Sequence, residues 1–140
     1  MIQLDAGSCI QAGKCRFHLE SGFYAYVGSA LSGLERRLAR HLRAEKRFHW
    51  HIDYLLNMAR INEIIYGETG ESKECALAEI LSQRLPAING FGSSDCKCPS
   101  HLFYSKDRND LKNIIFEAFM RLVLDPYMLV GQNTISTSHY

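Results

Sequence analysis

The chain has 140 residues, 46% of them hydrophobic and 22% charged, with a formal net charge of +1. That length suits one domain burying about two thirds of its unfolded surface, and a balance so close to neutral does not by itself announce a nucleic-acid binder. No stretch reaches the roughly 18 apolar residues of a membrane span, the opening Met1-Ile-Gln-Leu-Asp5 has no basic flank, and five cysteines are an odd number; together these set the expectation of a cytoplasmic protein with free thiols and no membrane partner.

Taken in chain order, Met1 to Leu4, about Lys14 to Leu19 and Phe23 to Gly28 read as strands separated by Asp-Ala-Gly-Ser and Glu-Ser-Gly turns, most simply as an antiparallel meander. Leu31, Leu34, Leu38 and Leu42 then recur at helical spacing and predict a helix from about 31 to 44. Trp50, Ile52, Leu55, Leu56 and Met58 fit a short buried helix, and Ile61 to Tyr66 one strand ended by Gly67. Ser72 is a plausible N-cap for a helix with an apolar face of Ala76, Leu77, Ile80, Leu81 and Leu85, stopped by Pro86. Residues 87 to 100 form a long loop rich in Gly, Ser, Asp, Cys and Pro, of the kind that carries function. A short aromatic strand (His101 to Tyr104), a helix capped by Asp107 or Asn109 and reaching about Leu124, and a polar, frayed tail from Gln132 complete the reading. The domain boundaries expected are 1–106 for the main domain, 107–130 for a C-terminal helix packed on it, and 131–140 for the tail.

Several residues have the types that chemistry needs. In an alternating strand Tyr24 and Tyr26 share a face, so both phenols can serve one site. The helix that follows concentrates Arg36, Arg37, Arg40, Arg43, Lys46 and Arg47 against Glu35 and Glu45, a cationic surface suited to a polyanion, or simply a solvated basic face. Arg37 and His41 lie four apart on one helical side, where a guanidinium can fork phosphate oxygens while an imidazole moves a proton. Hydrolysis calls for a hard cation, Mg²⁺ or Mn²⁺, for which Glu74 and Glu79 are candidates; about 140° apart around the helix, they do not readily share one ion. His49 and Asp53 share a helical face that His51 does not. Cys96-x-Cys98-x-x-His101 has soft-metal ligand types, but its two cysteines are closer than usual zinc spacing and a zinc ion there would have to borrow His49 or His51.

Tyr26-Val-Gly-Ser-Ala and Leu34-Glu-Arg-Arg-Leu-Ala-Arg-His41 resemble the second half of the GIY-YIG nuclease signature. His49-Trp-His-Ile-Asp-Tyr-Leu55, Glu74-Cys-Ala-Leu-Ala78 and the long phrase from Gly90 to Tyr104 narrow the resemblance to the small stand-alone archaeal and bacterial branch of that superfamily, long classed as a domain of unknown function and sometimes fused to an endonuclease III type glycosylase. The resemblance spans roughly Ile2 to Tyr104. It implies an α/β (α+β) fold, a small, mainly antiparallel central sheet flanked by helices, with a divalent-metal phosphodiesterase site on one face; the helix after Asp107 is then an addition. Carried over by position, it makes Tyr26 the tyrosine of the second triplet, Arg37 the transition-state arginine, His41 the histidine one turn later and Glu74 the metal glutamate. The first triplet has no counterpart at its usual distance before Tyr26, which leaves Tyr24 or His41 to substitute as general base.

Three functions follow as expectations. The first is a metal-dependent endonuclease acting on DNA, a hydrolase of repair working beside a repair enzyme, with Arg36, Arg40, Arg43 and Lys46 on the backbone. The second, favoured by the missing triplet, is a non-catalytic nucleic-acid-binding module. The third is a zinc-stabilised structural or interaction domain built on Cys96, Cys98, His101, His49 and His51.

Overall fold

The computed structural model describes residues 1–29, 39–42, 50–69, 71–93, 96–130 and 137–139. The fold is α+β. Its centre is a four-stranded antiparallel sheet in the order β5 (Arg60–Ile61), β1 (Ile2–Leu4), β4 (Gly22–Tyr26), β7 (Leu102–Ser105). Between β1 and β4 the chain makes a separate hairpin of β2 (Ser8–Ala12) and β3 (Cys15–Leu19). Among the described residues the helices are α1 (His51–Leu56), α2 (Glu74–Ser82) and α3 (Arg108–Arg121); residues 39–42 are also helical. A third sheet joins β6 (Glu63–Tyr66) to β8 (Tyr127–Val130), and β8 to β9 (Thr137–His139).

Alternation along β4 divides the core. Tyr24 and Tyr26 face one side, where Ile2, Leu4 and Leu102 meet the inward residues of the hairpin (Ile10, Ala12, Phe17, Leu19) and Ile52 and Leu55 of α1. Ala25 and Val27 face the other, packed with Phe103, Ala78 and Leu81 of α2 and Leu111, Ile115, Ala118 and Phe119 of α3. The central sheet therefore lies between a hairpin-and-helix layer and a two-helix layer. Each fully buried Leu or Phe in these clusters contributes about 2 kcal/mol through area removed from water. The C-terminal helix shares its core with α2, β4 and β7, and its N-cap is Asp107, whose carboxylate accepts from the Asn109 and Asp110 amides at 2.8 and 3.1 Å.

Some expectations need correction. The first strands are no meander, because β1 pairs directly with β4 (Ile2 opposite Tyr24) and the hairpin stands apart as its own sheet. β2, which the sequence reading passed over, pairs Ile10 with Phe17 across a two-residue Gly13-Lys14 turn, in which Gly13 takes the positive φ of 62° that such a turn requires. The single strand expected over 61–66 is divided at Asn62: Ile61 pairs with Ile2, whereas Glu63 to Tyr66 leave for the third sheet and pair with Tyr127 to Val130. The helix expected from Ser72 starts at Glu74 with Lys73 at the cap position. Thr137–His139, expected to fray, pair with β8. The basic helix expected over 31–44 falls mostly outside the described residues. Among those described, no helix is long and apolar enough to cross a membrane.

Gly22 opens β4 at φ 144°, and a Cβ there would sit 2.7 Å from Tyr104 Cε1 and 3.1 Å from the Ser105 carbonyl. Gly22→Ala is expected to lower stability by about 2 kcal/mol in urea unfolding; a change under about 0.5 kcal/mol would mean that β4 and β7 part easily at this end.

Candidate metal centre and adjoining cleft

The loop between α2 and β7 is not slack. Ile88 N–H donates to the Leu102 carbonyl, Gly90 N–H to Pro99 and His101 N–H to Phe91, so residues 88–91 and 99–102 run back to back. Gly90 and Gly92 supply the positive φ angles (79° and 69°) that the turns need. Ser100, buried, bonds through its hydroxyl to both the amide and the carbonyl of Leu102. On the far side Val27 N–H donates to the His101 carbonyl at 2.9 Å, fastening the loop to the end of β4.

This folding brings Cys96, Cys98 and His101 against Cys75 in the first turn of α2. One ligand atom from each lies within 4.8 Å of all the others, a cluster that could hold a metal ion. A tetrahedral ion with sulfur at about 2.3 Å implies sulfur separations of about 3.8 Å, so small adjustments complete the shell. His101 is buried, and its Nε2 is 3.4 Å from Cys96 Sγ. Burial, and then the adjoining Cys75 and Cys96 sulfurs, push the Cys98 thiol up to about 12. A crowd of thiols resists ionisation for the same reason that it welcomes a cation, since thiolates are the metal-binding form. None of the five cysteines forms a disulfide.

Glu74, the neighbour of Cys75, faces two ways. Its Oε2 accepts from Ser29 Oγ at 2.9 Å, and its Oε1 is 3.0 Å from His101 Nδ1. Ser29 lies three residues past β4. Glu74 also lines a cleft of about 400 Å³ together with Tyr26, Gly28, Ser29 and His41. The Tyr26 and His41 rings meet edge-on at 6.2 Å between centroids, and Tyr26 lies over Gly92, where a Cβ would be 3.0 Å from its Cε1. Three of the four residues that the nuclease resemblance singles out thus share one cleft. The fourth, Arg37, lies outside the described residues, as do Arg36, Arg43, Lys46 and His49.

Other candidates are engaged elsewhere. Tyr24 does share a face with Tyr26, but it is fully buried: its hydroxyl donates to the Glu20 carbonyl at 2.6 Å and its ring packs on Tyr104. Burial, and then Tyr104, raise its phenol above the ordinary value of 10.0, so it is unsuited to act as a base. Arg40, expected to contact a nucleic-acid backbone, is forked by Asp53, with Nη1 to Oδ1 at 2.6 Å and Nη2 to Oδ2 at 2.9 Å, while its guanidinium covers the Trp50 ring at 4.4 Å. Asp53 is 0% exposed and also accepts from the Trp50 amide at 2.8 Å. His51 is not in the sulfur cluster; its Nδ1 accepts from Gly92 N–H at 3.0 Å, and its ring packs against those of Phe17 and Phe91. The fourth ligand that His49 or His51 was expected to lend is supplied by Cys75, which stands 21 residues before Cys96 and has no spacing motif to reveal it.

Arg40→Ala leaves a buried carboxylate short of its cation and is expected to lower stability by about 2 to 3 kcal/mol in chemical denaturation; a loss under about 0.5 kcal/mol would reduce the pair to an ordinary surface bridge. Burial holds the His51 imidazole below its ordinary value of 6.5. As pH falls from 6.5 toward that lowered value, the unfolded chain takes up the proton first, so the contribution of neutral His51 is complete above pH 6.5 and is lost on acidification. His51→Asn keeps an acceptor for Gly92 and does not titrate; urea midpoints compared on either side of this window should fall less steeply with pH than in the wild type.

A family model described as a domain of unknown function, DUF123, matches residues 1–124. A search of curated proteins and one of solved structures each returned no match. The match takes in the whole central sheet, the sulfur and histidine cluster and the cleft beside it, and the chain belongs to the DUF123 family.

Proposed function

We propose that this protein is a zinc-stabilised, nucleic-acid-directed domain whose cleft hydrolyses phosphodiester bonds, as the resemblance to GIY-YIG nucleases implies. The observation that carries the reading is the convergence of Tyr26, His41 and Glu74 on one cleft at the end of β4. A phenol and an imidazole in edge contact are suited to moving the proton of an attacking water, and Arg37, four residues before His41 in the sequence, would hold the scissile phosphate. The resemblance, for its part, assigns Glu74 to a Mg²⁺ or Mn²⁺ ion that would neutralise charge on the leaving oxygen. Zinc is the metal suited to the neighbouring cluster, because three thiols and an imidazole are soft and borderline ligands that a hard ion does not favour. A non-catalytic nucleic-acid-binding module is the second reading. It is favoured by the engagement of both Glu74 oxygens, one with Ser29 and one near His101, which leaves a hard ion less room.

Purified protein incubated with branched, nicked and single-stranded DNA and with RNA, in Mg²⁺ or Mn²⁺, distinguishes the two. Cleavage that falls about 100-fold or more in Tyr26→Phe, His41→Ala and Arg37→Ala is the expected result; cleavage indifferent to all three would remove the cleft from the reaction. Salt-dependent binding without cleavage would establish the module instead. Metal analysis of protein prepared without chelator is expected to find one zinc per chain, lost in Cys96→Ser and Cys98→Ser.

A further inference from the structure

We infer that Glu74 is the outer-sphere partner of the Cys75, Cys96, Cys98 and His101 metal centre, a positioning residue that orients His101, and not an inner ligand of a hard ion in the cleft. The inference rests on the zinc reading above and departs from the role that the nuclease resemblance gives this glutamate.

The two nitrogens of His101 look in opposite directions. Nε2 faces the cluster, 3.4 Å from Cys96 Sγ, and Nδ1 faces Glu74 Oε1 at 3.0 Å. A metal taken through Nε2 obliges the ring to carry its proton on Nδ1, and that N–H needs an acceptor. The imidazole is buried and Nδ1 lacks an aligned hydrogen bond to any described residue, so the Glu74 carboxylate is the acceptor within reach. Leaving such a group unpaired when the ring is committed to a metal costs free energy that reappears as weaker binding.

Glu74 is itself held in place. Ser29 Oγ fixes its other oxygen, and its backbone opens α2 immediately before the ligand Cys75. The N-terminal turn of a nine-residue helix favours negative charge, which eases the placement of a thiolate and a carboxylate side by side. The arrangement links the Ser29 turn after β4, the Glu74 carboxylate, the His101 ring and the metal in one line. Metal loading is thereby coupled to the wall of the cleft that Ser29 and Glu74 form.

The test is zinc affinity of the full chain, by competition with a chromophoric chelator, for wild type, Glu74→Ala, Glu74→Gln, Ser29→Ala and Cys98→Ser, with Co²⁺ spectra as a record of the ligand set. Glu74→Ala is expected to bind zinc about 10- to 100-fold more weakly while its Co²⁺ form keeps the thiolate charge-transfer and tetrahedral bands of three sulfurs and one nitrogen. Glu74→Gln, whose amide oxygen still accepts from Nδ1, should recover part of that loss, which a merely structural defect would not allow; it also serves if the alanine variant fails to fold. Ser29→Ala should stay within about threefold of wild type, and Cys98→Ser should change the Co²⁺ spectrum itself. Glu74→Ala with wild-type zinc affinity, or one that loses only Mg²⁺-dependent cleavage, overturns the inference and leaves the zinc reading intact. A wild type that binds neither zinc nor Co²⁺ overturns the zinc reading, and this inference with it.

Discussion

The register between β4 and β7 positions both the sulfur cluster and the cleft beside it. Tyr26 is opposite Leu102, so the residue after β4's last tyrosine and the residue before β7's first leucine meet, and Val27 N–H donates to the His101 carbonyl. That one antiparallel pairing brings His101 of the sulfur cluster beside the end of β4, where Tyr26, Gly28 and Ser29 line the cleft. A slip by one residue would turn His101 to the opposite face and separate it from Cys96 and Glu74 at once. The hydrogen bonds from residues 88–91 to 99–102 keep the cysteine loop from taking any other path across the junction.

Much of this order is legible in the residues. The alternation of Phe23, Tyr24, Ala25, Tyr26 and Val27 assigns two faces, and both faces are found where alternation puts them. Of the apolar face read for α2, Leu81 and Leu85 are buried and Leu77 and Ile80 pack against the same cluster, while the buried Ala78 lies outside that reading; Gly, Ser and Pro mark the loop that holds the cysteines. What escapes a linear reading is long-range pairing. Nothing near Ile61 says that Asn62 will hand the chain from one sheet to another, since that division depends on Ile2 on one side and Tyr127 to Val130 on the other. Cys75 escapes for the same reason: a ligand delivered by a helix from outside the loop has no local signature. Tyr24 shows the converse limit, because alternation specifies a face and not whether that face is dry.

A count of basic residues treats Arg40 as one more positive charge on a helix, whereas Asp53, wholly buried, absorbs it in a two-pronged bridge beneath Trp50. That pair organises the entry to α1, since the same carboxylate also receives the Trp50 amide. His51, one residue on, holds the start of the cysteine loop through Gly92. A short helix of six residues is thus tied at its first turn both to the helical segment 39–42 and to the loop beside the cluster. These polar partners act together with Ile52 and Leu55, which α1 buries in the core.

The third sheet bears on where this domain can be cut. The family match closes at residue 124, after α3, yet β6 takes its hydrogen bonds from Tyr127 to Val130. A chain trimmed at the family boundary would keep the central sheet, the cleft and the sulfur cluster, but would bare four consecutive residues, Glu63-Ile-Ile-Tyr66, as an open strand edge. Exposed edges of that composition recruit other strands. Among the described residues β6 is already the outer strand of that sheet, so the segment beyond residue 124 covers one of its two edges.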